Sequence, residues 1–330
     1  MTSRVLVRLP NWLGDVLMSR PLLDHLAATG GGAAVGPAGA IDLLRAAYPS
    51  FEFHVWPRDA AARRALARTL RWPRADATYL LPVSFSSARH ALGWGARRRV
   101  GYATDGRSPL LDDARPRVPR GDLHLSEEYL ALAFPRRSAP PRVAKALPAL
   151  PLAPAHRDAA DATLRAHAIG GTPFAILAPG AFYGPAKRWS PERFVHVARS
   201  LRARGLAVLL GGEARDREVT GAVATAVPGA IDLAGRTSLG EAAGLAARAR
   251  AVLSNDSGFA HLAAAVGAPT VVIFGSTSSA WTAPLGPRIR VVQHAPVCSP
   301  CFRRTCAIGY ACLTAVEPAE VERALDEVAA

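Results

Sequence analysis

Short runs of four or five apolar residues alternate with segments of helical composition along most of this 330-residue chain, and few folds accept that alternation. Residues 4–8, 51–55, 77–81, 99–102, 174–177, 207–210, 230–233, 251–253 and 270–274 read as strands. Between them, residues 16–29, 40–47, 60–71, 126–133, 155–168, 192–204, 217–226, 239–248, 259–266 and 318–329 read as helices. Strands taken in turn with helices imply parallel sheets covered on both faces. The predicted fold class is therefore α/β, built from doubly wound, Rossmann-like domains. The chain is too long for one ordinary core. Pro135, Pro140, Pro141, Pro148, Pro151 and Pro154 mark a hinge, which predicts domains at 1–154 and 155–330. Residues 103–122 read as a basic loop region.

Charge narrows the partners. The net charge is +14, and it is lopsided: residues 1–150 hold 22 basic against 12 acidic groups, residues 151–330 hold 18 against 14. A basic half points to an anionic partner, whether nucleic acid, anionic lipid or a phosphorylated glycan; arginine richness also follows from a GC-rich genome. The basic residues are not interleaved with aromatics and no nucleic-acid module is present, so no nucleic-acid partner is expected. No apolar stretch approaches the length of a membrane span. Arg4, Arg8 and Asp15 interrupt the first apolar run, which excludes a signal-peptide reading and makes the cytoplasm the expected location. The absence of G-x-G-x-x-G argues against a dinucleotide oxidoreductase.

Two strand–loop–helix junctions carry the chemistry. In Leu253 to His261, either Asp256 or Ser257 can cap the following helix, whose first N–H groups and dipole suit a diphosphate. Gly258 allows close approach, and Ser257 and His261 add side-chain donors. In Leu177 to Ser190, a tight loop made by Pro179, Gly180, Gly184 and Pro185 carries Lys187 and Arg188 to the carboxyl end of a strand, where ligands bind in open α/β sheets.

These motifs, with Arg8 to Asp15, Met18 to Pro21, Gly101-Tyr102 through Arg107, Leu110-Leu111, Gly212 to Asp216, Leu233 to Leu239 and Phe274 to Thr277, resemble the ADP-heptose:lipopolysaccharide heptosyltransferases of glycosyltransferase family 9. The Pro-Asn-Trp and Gly-Pro-Ala-Lys-Arg-Trp forms are more similar to the second heptosyltransferases than to the first. The resemblance implies a GT-B architecture: an acceptor domain facing a donor domain across a central cleft, with the C-terminal helix packing back on the first domain. It implies inverting transfer of L-glycero-D-manno-heptose from ADP-heptose to the lipopolysaccharide inner core (a heptosyl-Kdo-lipid A acceptor). No cofactor or divalent metal is implied, and no D-x-D triplet is present. A lipid-linked acceptor also implies weak, peripheral contact with the inner membrane surface.

Residue by residue, the resemblance assigns Asp15 as general base, a role its place at the end of the first strand's loop also suits; the alternative is a helix N-cap. Lys187 is the diphosphate clamp. Gly180, Arg188, Asp256, Ser257, Gly258 and His261 complete the donor site, with Asp216 or Glu218 on the ribose and Thr237 at the adenine. Asn11, Trp12, Arg98, Arg107 and Arg120 are the expected acceptor contacts. Cys298, Cys301, Cys306 and Cys312 fall within 15 residues and admit two readings, a structural metal or reduced local thiols. Competing functions are another GT-B nucleotide-sugar enzyme or a non-enzymatic basic nucleic-acid-binding protein.

Overall fold

The computed structural model describes residues 4–71, 74–139 and 141–330. The chain divides into two compact units, Met1–Val143 and Ala144–Ala330. In the first, β1 (Val5–Arg8), β2 (Gly32–Gly36), β3 (Phe51–Val55), β4 (Ala77–Leu80), β5 (Arg98–Tyr102) and β6 (Asp113–Arg115) form a parallel sheet in the order β3-β2-β1-β4-β5-β6. In the second, β7 (Phe174–Ala178), β8 (Ala207–Leu210), β9 (Ile231–Asp232), β10 (Ala251–Asn255), β11 (Thr270–Phe274) and β12 (Ile289–Gln293) are ordered β12-β11-β10-β7-β8-β9.

Both sheets have the same winding. Each starts near its centre, runs to one edge, then returns to run to the other. Where the direction reverses, neighbouring strands send their connections to opposite faces, which opens a crevice at their carboxyl ends. The reversals lie between β1 and β4 and between β7 and β10. Both units are thus doubly wound Rossmann-like sheets, the domain type of the GT-B class.

The elements depart from expectation where composition misleads. β2 is Gly32-Ala33-Ala34-Val35-Gly36, without the β-branched run that marks a strand. Its glycine start is required by β1, because a Cβ on Gly32 would lie 2.3 Å from the Val5 carbonyl oxygen. The single helix expected over 16–29 is two, Leu13–Met18 and Arg20–Ala28. Pro21 lies in the first turn of the second, where its missing N–H costs nothing but prevents continuation from the first. The helix Phe85–Leu92, capped by the Ser84 side chain, and strand β12 carry no expected element. β6 lies inside the region read as loop.

The unit boundary falls within the proline-rich segment, of which Pro140 lies outside the described residues, rather than at its end. Beyond the boundary the segment is bonded to the second unit: Leu150 N–H donates to Ala265 O at 2.6 Å, and Gly286 N–H to Lys145 O at 2.9 Å. The C-terminal helix Pro318–Ala329 also differs from expectation. Its Val321, Ala324, Leu325 and Val328 lie in one core with Phe194, Val197, Leu253 and Ile273. It therefore packs on the sheet of its own unit. A four-residue apolar stripe at helical spacing gains more by completing that core than by any exposed placement. Among the described residues, no helix is long and apolar enough to cross a membrane.

Candidate functional site

In the second unit the two junctions meet at the sheet reversal. β7 leads through Pro179-Gly180 to a single 3-10 turn, Pro185–Lys187, before the helix Pro191–Ala203. β10 ends at Asn255 and leads through Asp256 to the helix Gly258–Ala265. Asp256 is buried, and its Oδ2 lies 2.5 Å from Lys187 Nζ and accepts the Thr277 hydroxyl at 2.6 Å. Lys187 is mostly buried as well, with its ammonium 5.2 Å from the centre of the Tyr183 ring. It is thus neither a surface lysine nor solvated like one.

The expected capping role passes to Ser257, which takes the N-cap position without a side-chain cap bond; Asp256 is occupied by the lysine instead. Ser257 Oγ lies 3.0 Å from Ser254 Oγ. Gly258 opens the helix and His261 is buried in its second turn. Helix-end N–H groups and a buried ammonium thus lie side by side at the crevice, a grouping of positive charge whose chemistry suits an anion.

Asn255, within the stretch Leu253 to His261, fixes the loop. Its Nδ2 donates to Pro179 O at 2.7 Å, and its Oδ1 accepts the Trp189 N–H at 3.0 Å. One fully buried amide thereby joins both stems of the segment that carries Lys187. Both partners are main-chain atoms, so no side-chain pattern announces the arrangement. A further support comes from the cysteine segment. Arg304 O accepts the Ala186 N–H at 3.0 Å, Arg304 Nε donates to Tyr183 O at 2.7 Å, and the Tyr183 hydroxyl donates to Phe302 O. Gly184 has φ +149°, and a Cβ there would meet Arg304 O at 2.6 Å.

The remaining donor residues separate by exposure. Gly180 is required by Asp216, since a Cβ would stand 2.3 Å from the Asp216 carboxyl carbon. Asp216 is buried and accepts the Glu213 N–H at 2.9 Å, which closes its own turn, whereas Glu218 is exposed. Thr237 lines an apolar recess with Gly211, Leu233, Ala242 and Phe259. Arg188 is exposed and donates to Ala181 O at 3.1 Å.

In the first unit, Asp15 is half-buried at the third position of the helix Leu13–Met18, at the reversal between β1 and β4. The N-cap position belongs to Trp12, so the capping alternative for Asp15 does not hold. The carboxylate lies near the buried phenol of Tyr129, which is held well above its ordinary pKa by burial first and by Asp15 second. Tyr129 is a neighbour that no sequence motif indicated. Asn11 is exposed and accepts from Arg8 Nη2 at 2.7 Å; the buried Arg8 stacks 4.7 Å from the Trp56 ring and is pushed down to about 10 by burial and then by Arg63. Trp12 is exposed beside it.

Two expected acceptor contacts are corrected. Arg107 is fully buried and donates to Tyr102 O, Pro82 O and Ser87 Oγ, tying the ends of β4 and β5 together. Burial, the leading cause, pushes its guanidinium down to about 10. Arg98 opens β5, at the amino end of the sheet, and is paired with Asp113 at 2.5 Å. Arg107 thus lies at the carboxyl ends of β4 and β5 but is fully buried, whereas Arg98 lies at the opposite end of the sheet from Asp15. Arg120 is exposed beside a short bridge to Leu123.

All four cysteines are free thiols. Cys306 Sγ accepts N–H groups from Ile308 and Tyr310, both at 3.4 Å, and these lower its pKa; burial raises that of Cys312. Among the described residues, no three His, Cys, Asp or Glu side chains are placed to hold a metal ion.

The geometry agrees with the relatives. The family "Glycosyltransferase family 9 (heptosyltransferase)" matches residues 63–311. Lipopolysaccharide heptosyltransferase 2 of Escherichia coli K12 is 32% identical over 307 residues, covering 88% of each chain. Lipooligosaccharide heptosyltransferase 2 of Haemophilus influenzae is 30% identical over 315 residues, again covering 88% of each. The solved structure of E. coli ADP-heptose LPS heptosyltransferase II superposes with a TM-score of 0.83 at 29% identity, over 99% of this chain and 98% of that one. With a family match over most of its length and relatives at 30–32% identity covering 88% of each chain, the chain belongs to glycosyltransferase family 9, the heptosyltransferases.

Proposed function

We propose that this heptosyltransferase moves L-glycero-D-manno-heptose from ADP-heptose to the inner core of lipopolysaccharide, with inversion at the anomeric carbon. The observation that carries the donor half is the Lys187–Asp256 pair beside the helix Gly258–Ala265, at the carboxyl ends of β7 and β10. Lys187 and the helix-end amides supply positive charge for the departing diphosphate, the step at which charge develops. Thr237 and its apolar recess suit the adenine. Asp216, whose Oδ2 already closes a turn, and the exposed Glu218 remain the two choices for the ribose.

Asp15 is proposed as the general base. An acceptor hydroxyl attacks the anomeric carbon, the bond to the diphosphate oxygen breaks with its electron pair, and the hydroxyl proton passes to the Asp15 carboxylate. Asn11 and Trp12 stand on the same loop and suit the acceptor, with the exposed Arg120 a candidate for its anionic groups. The reaction as proposed uses no cofactor and no divalent ion, the diphosphate being neutralised by protein groups. The domains remain assigned as acceptor-binding first and donor-binding second. The protein is placed in the cytoplasm, peripherally at the inner membrane surface, where its acceptor is anchored.

The test is incubation with ADP-heptose and heptosyl-Kdo-lipid A, scored for ADP release and a heptose mass increment, with and without EDTA. Product unchanged by EDTA is expected; loss on chelation, restored by a metal, would refute the metal-free mechanism. Asp15→Ala should lower kcat by about 10²–10⁴-fold, as expected for loss of a general base, while ADP affinity stays within about twofold. Near-normal turnover in that variant removes Asp15 from the mechanism.

A further inference from the structure

Lys187 ends a flexible four-carbon stem, and such an ammonium is a mobile point charge unless something fixes it. It is paired with Asp256 Oδ2, at 2.5 Å. A carboxylate turns easily about its last torsion, so it fixes a lysine only if it is itself held. The same oxygen accepts the Thr277 hydroxyl at 2.6 Å, and Asp256 and Thr277 are both buried. Thr277 has a β-branched side chain with few rotamers. Its carbonyl accepts Gln293 Nε2 at 2.9 Å, and Gln293 Oε1 in turn accepts the Ser279 hydroxyl at 2.6 Å. A chain of hydrogen bonds therefore runs from the end of β12 to the ammonium.

We infer that Thr277 is a positioning residue for the donor diphosphate, acting through Asp256 on Lys187. Its hydroxyl does two things. It fixes the plane of the Asp256 carboxylate, so that Lys187 is held at one place at the sheet reversal. It also takes part of the accepting capacity of Oδ2, so that the carboxylate's pull on the ammonium is weaker and Lys187, from that fixed place, keeps donors for phosphate oxygens. Removing the hydroxyl leaves a buried carboxylate with one donor fewer, which both frees its rotation and strengthens its demand on the lysine.

The inference rests on the reading of Lys187 as the diphosphate clamp, and a double-mutant cycle separates the two. ADP affinity is measured by calorimetry on the full-length protein for wild type, Thr277→Val, Lys187→Ala and the double variant, with thermal midpoints as a folding control. Thr277→Val should weaken ADP binding about fivefold to tenfold, within the net contribution of one ordinary hydrogen bond. Thr277→Ser, which restores the hydroxyl, should return affinity to within about twofold of wild type. In the Lys187→Ala background, Thr277→Val should cost nothing further, because the group it positions is gone. Equal losses in both backgrounds would show a general structural effect and overturn the inference. An unchanged affinity in Thr277→Val would overturn it as well. If Lys187→Ala itself leaves ADP affinity intact, the clamp reading fails first and the inference goes with it.

Discussion

At the scale of single residues, buried polar groups decide what the site can do. Asn255→Ala removes both bonds that close the Lys187 segment and leaves Pro179 O and Trp189 N–H without them. A stability loss of about 2–5 kcal/mol is expected, since each deprived buried group costs on the order of 1–3 kcal/mol. Urea unfolding with an unchanged slope would check it, and a loss under about 0.5 kcal/mol, the range of ordinary surface substitutions, would contradict it. Thiol chemistry gives a pH-dependent test. Because N–H donors from Ile308 and Tyr310 lower the Cys306 pKa while burial raises that of Cys312, the thiolate of Cys306 is populated at lower pH. Iodoacetamide should therefore label Cys306 ahead of Cys312 near neutrality, with the gap narrowing as pH rises past both; peptide mass mapping reads the order, and Cys312 reacting first would exclude this account. The strand-end positions of Asp15, Lys187 and Asp256 are legible in the sequence because each stands in a dense motif there. Arg107 is not legible: its buried guanidinium donates to Tyr102 O, Pro82 O and the Ser87 hydroxyl, neutral partners that no acidic residue in the sequence announces.

At the scale of elements, periodicity reveals what composition allows. The strands with branched apolar runs, such as β8 and β11, are found at their predicted residues, whereas β2, built of glycine, alanine and one valine, leaves no such trace. The C-terminal helix is read correctly as a helix, yet its packing partner is not, because an apolar stripe states that a face is buried and not against what. Its Leu325 belongs to the second unit's core. Leu325→Ala should therefore destabilise that unit by about 2–5 kcal/mol, and ADP, which binds the folded form alone, should recover part of the loss. Calorimetric melts with and without ADP measure both quantities; a melt insensitive to the substitution would place the helix outside that core.

At the scale of the whole molecule, the strand order repeated in the two units explains why both proposed reactive groups follow the first strand of their sheet. Asp15 follows β1 and Lys187 follows β7, each at the reversal in its winding. That correspondence is legible in outline, since strand–helix alternation gives the class, but the order of strands requires the fold. The excess of basic groups in the first 150 residues belongs to this scale too. Sedimentation with vesicles containing anionic lipid should occur at low salt and fade toward 1 M salt, where the screening length is about 3 Å. Equal binding to neutral vesicles, or none to charged ones, would remove the proposed membrane attachment.

The stitching of Tyr183–Ala186 to Phe302–Arg304 has an evolutionary corollary. Where Arg304 O fills the space that a side chain at position 184 would need, neither stretch is at liberty to drift by itself, although 119 residues separate Tyr183 from Phe302. Homologues that have replaced the glycine must have rerouted the distant partner, and the two loops are expected to change length and character as a linked pair.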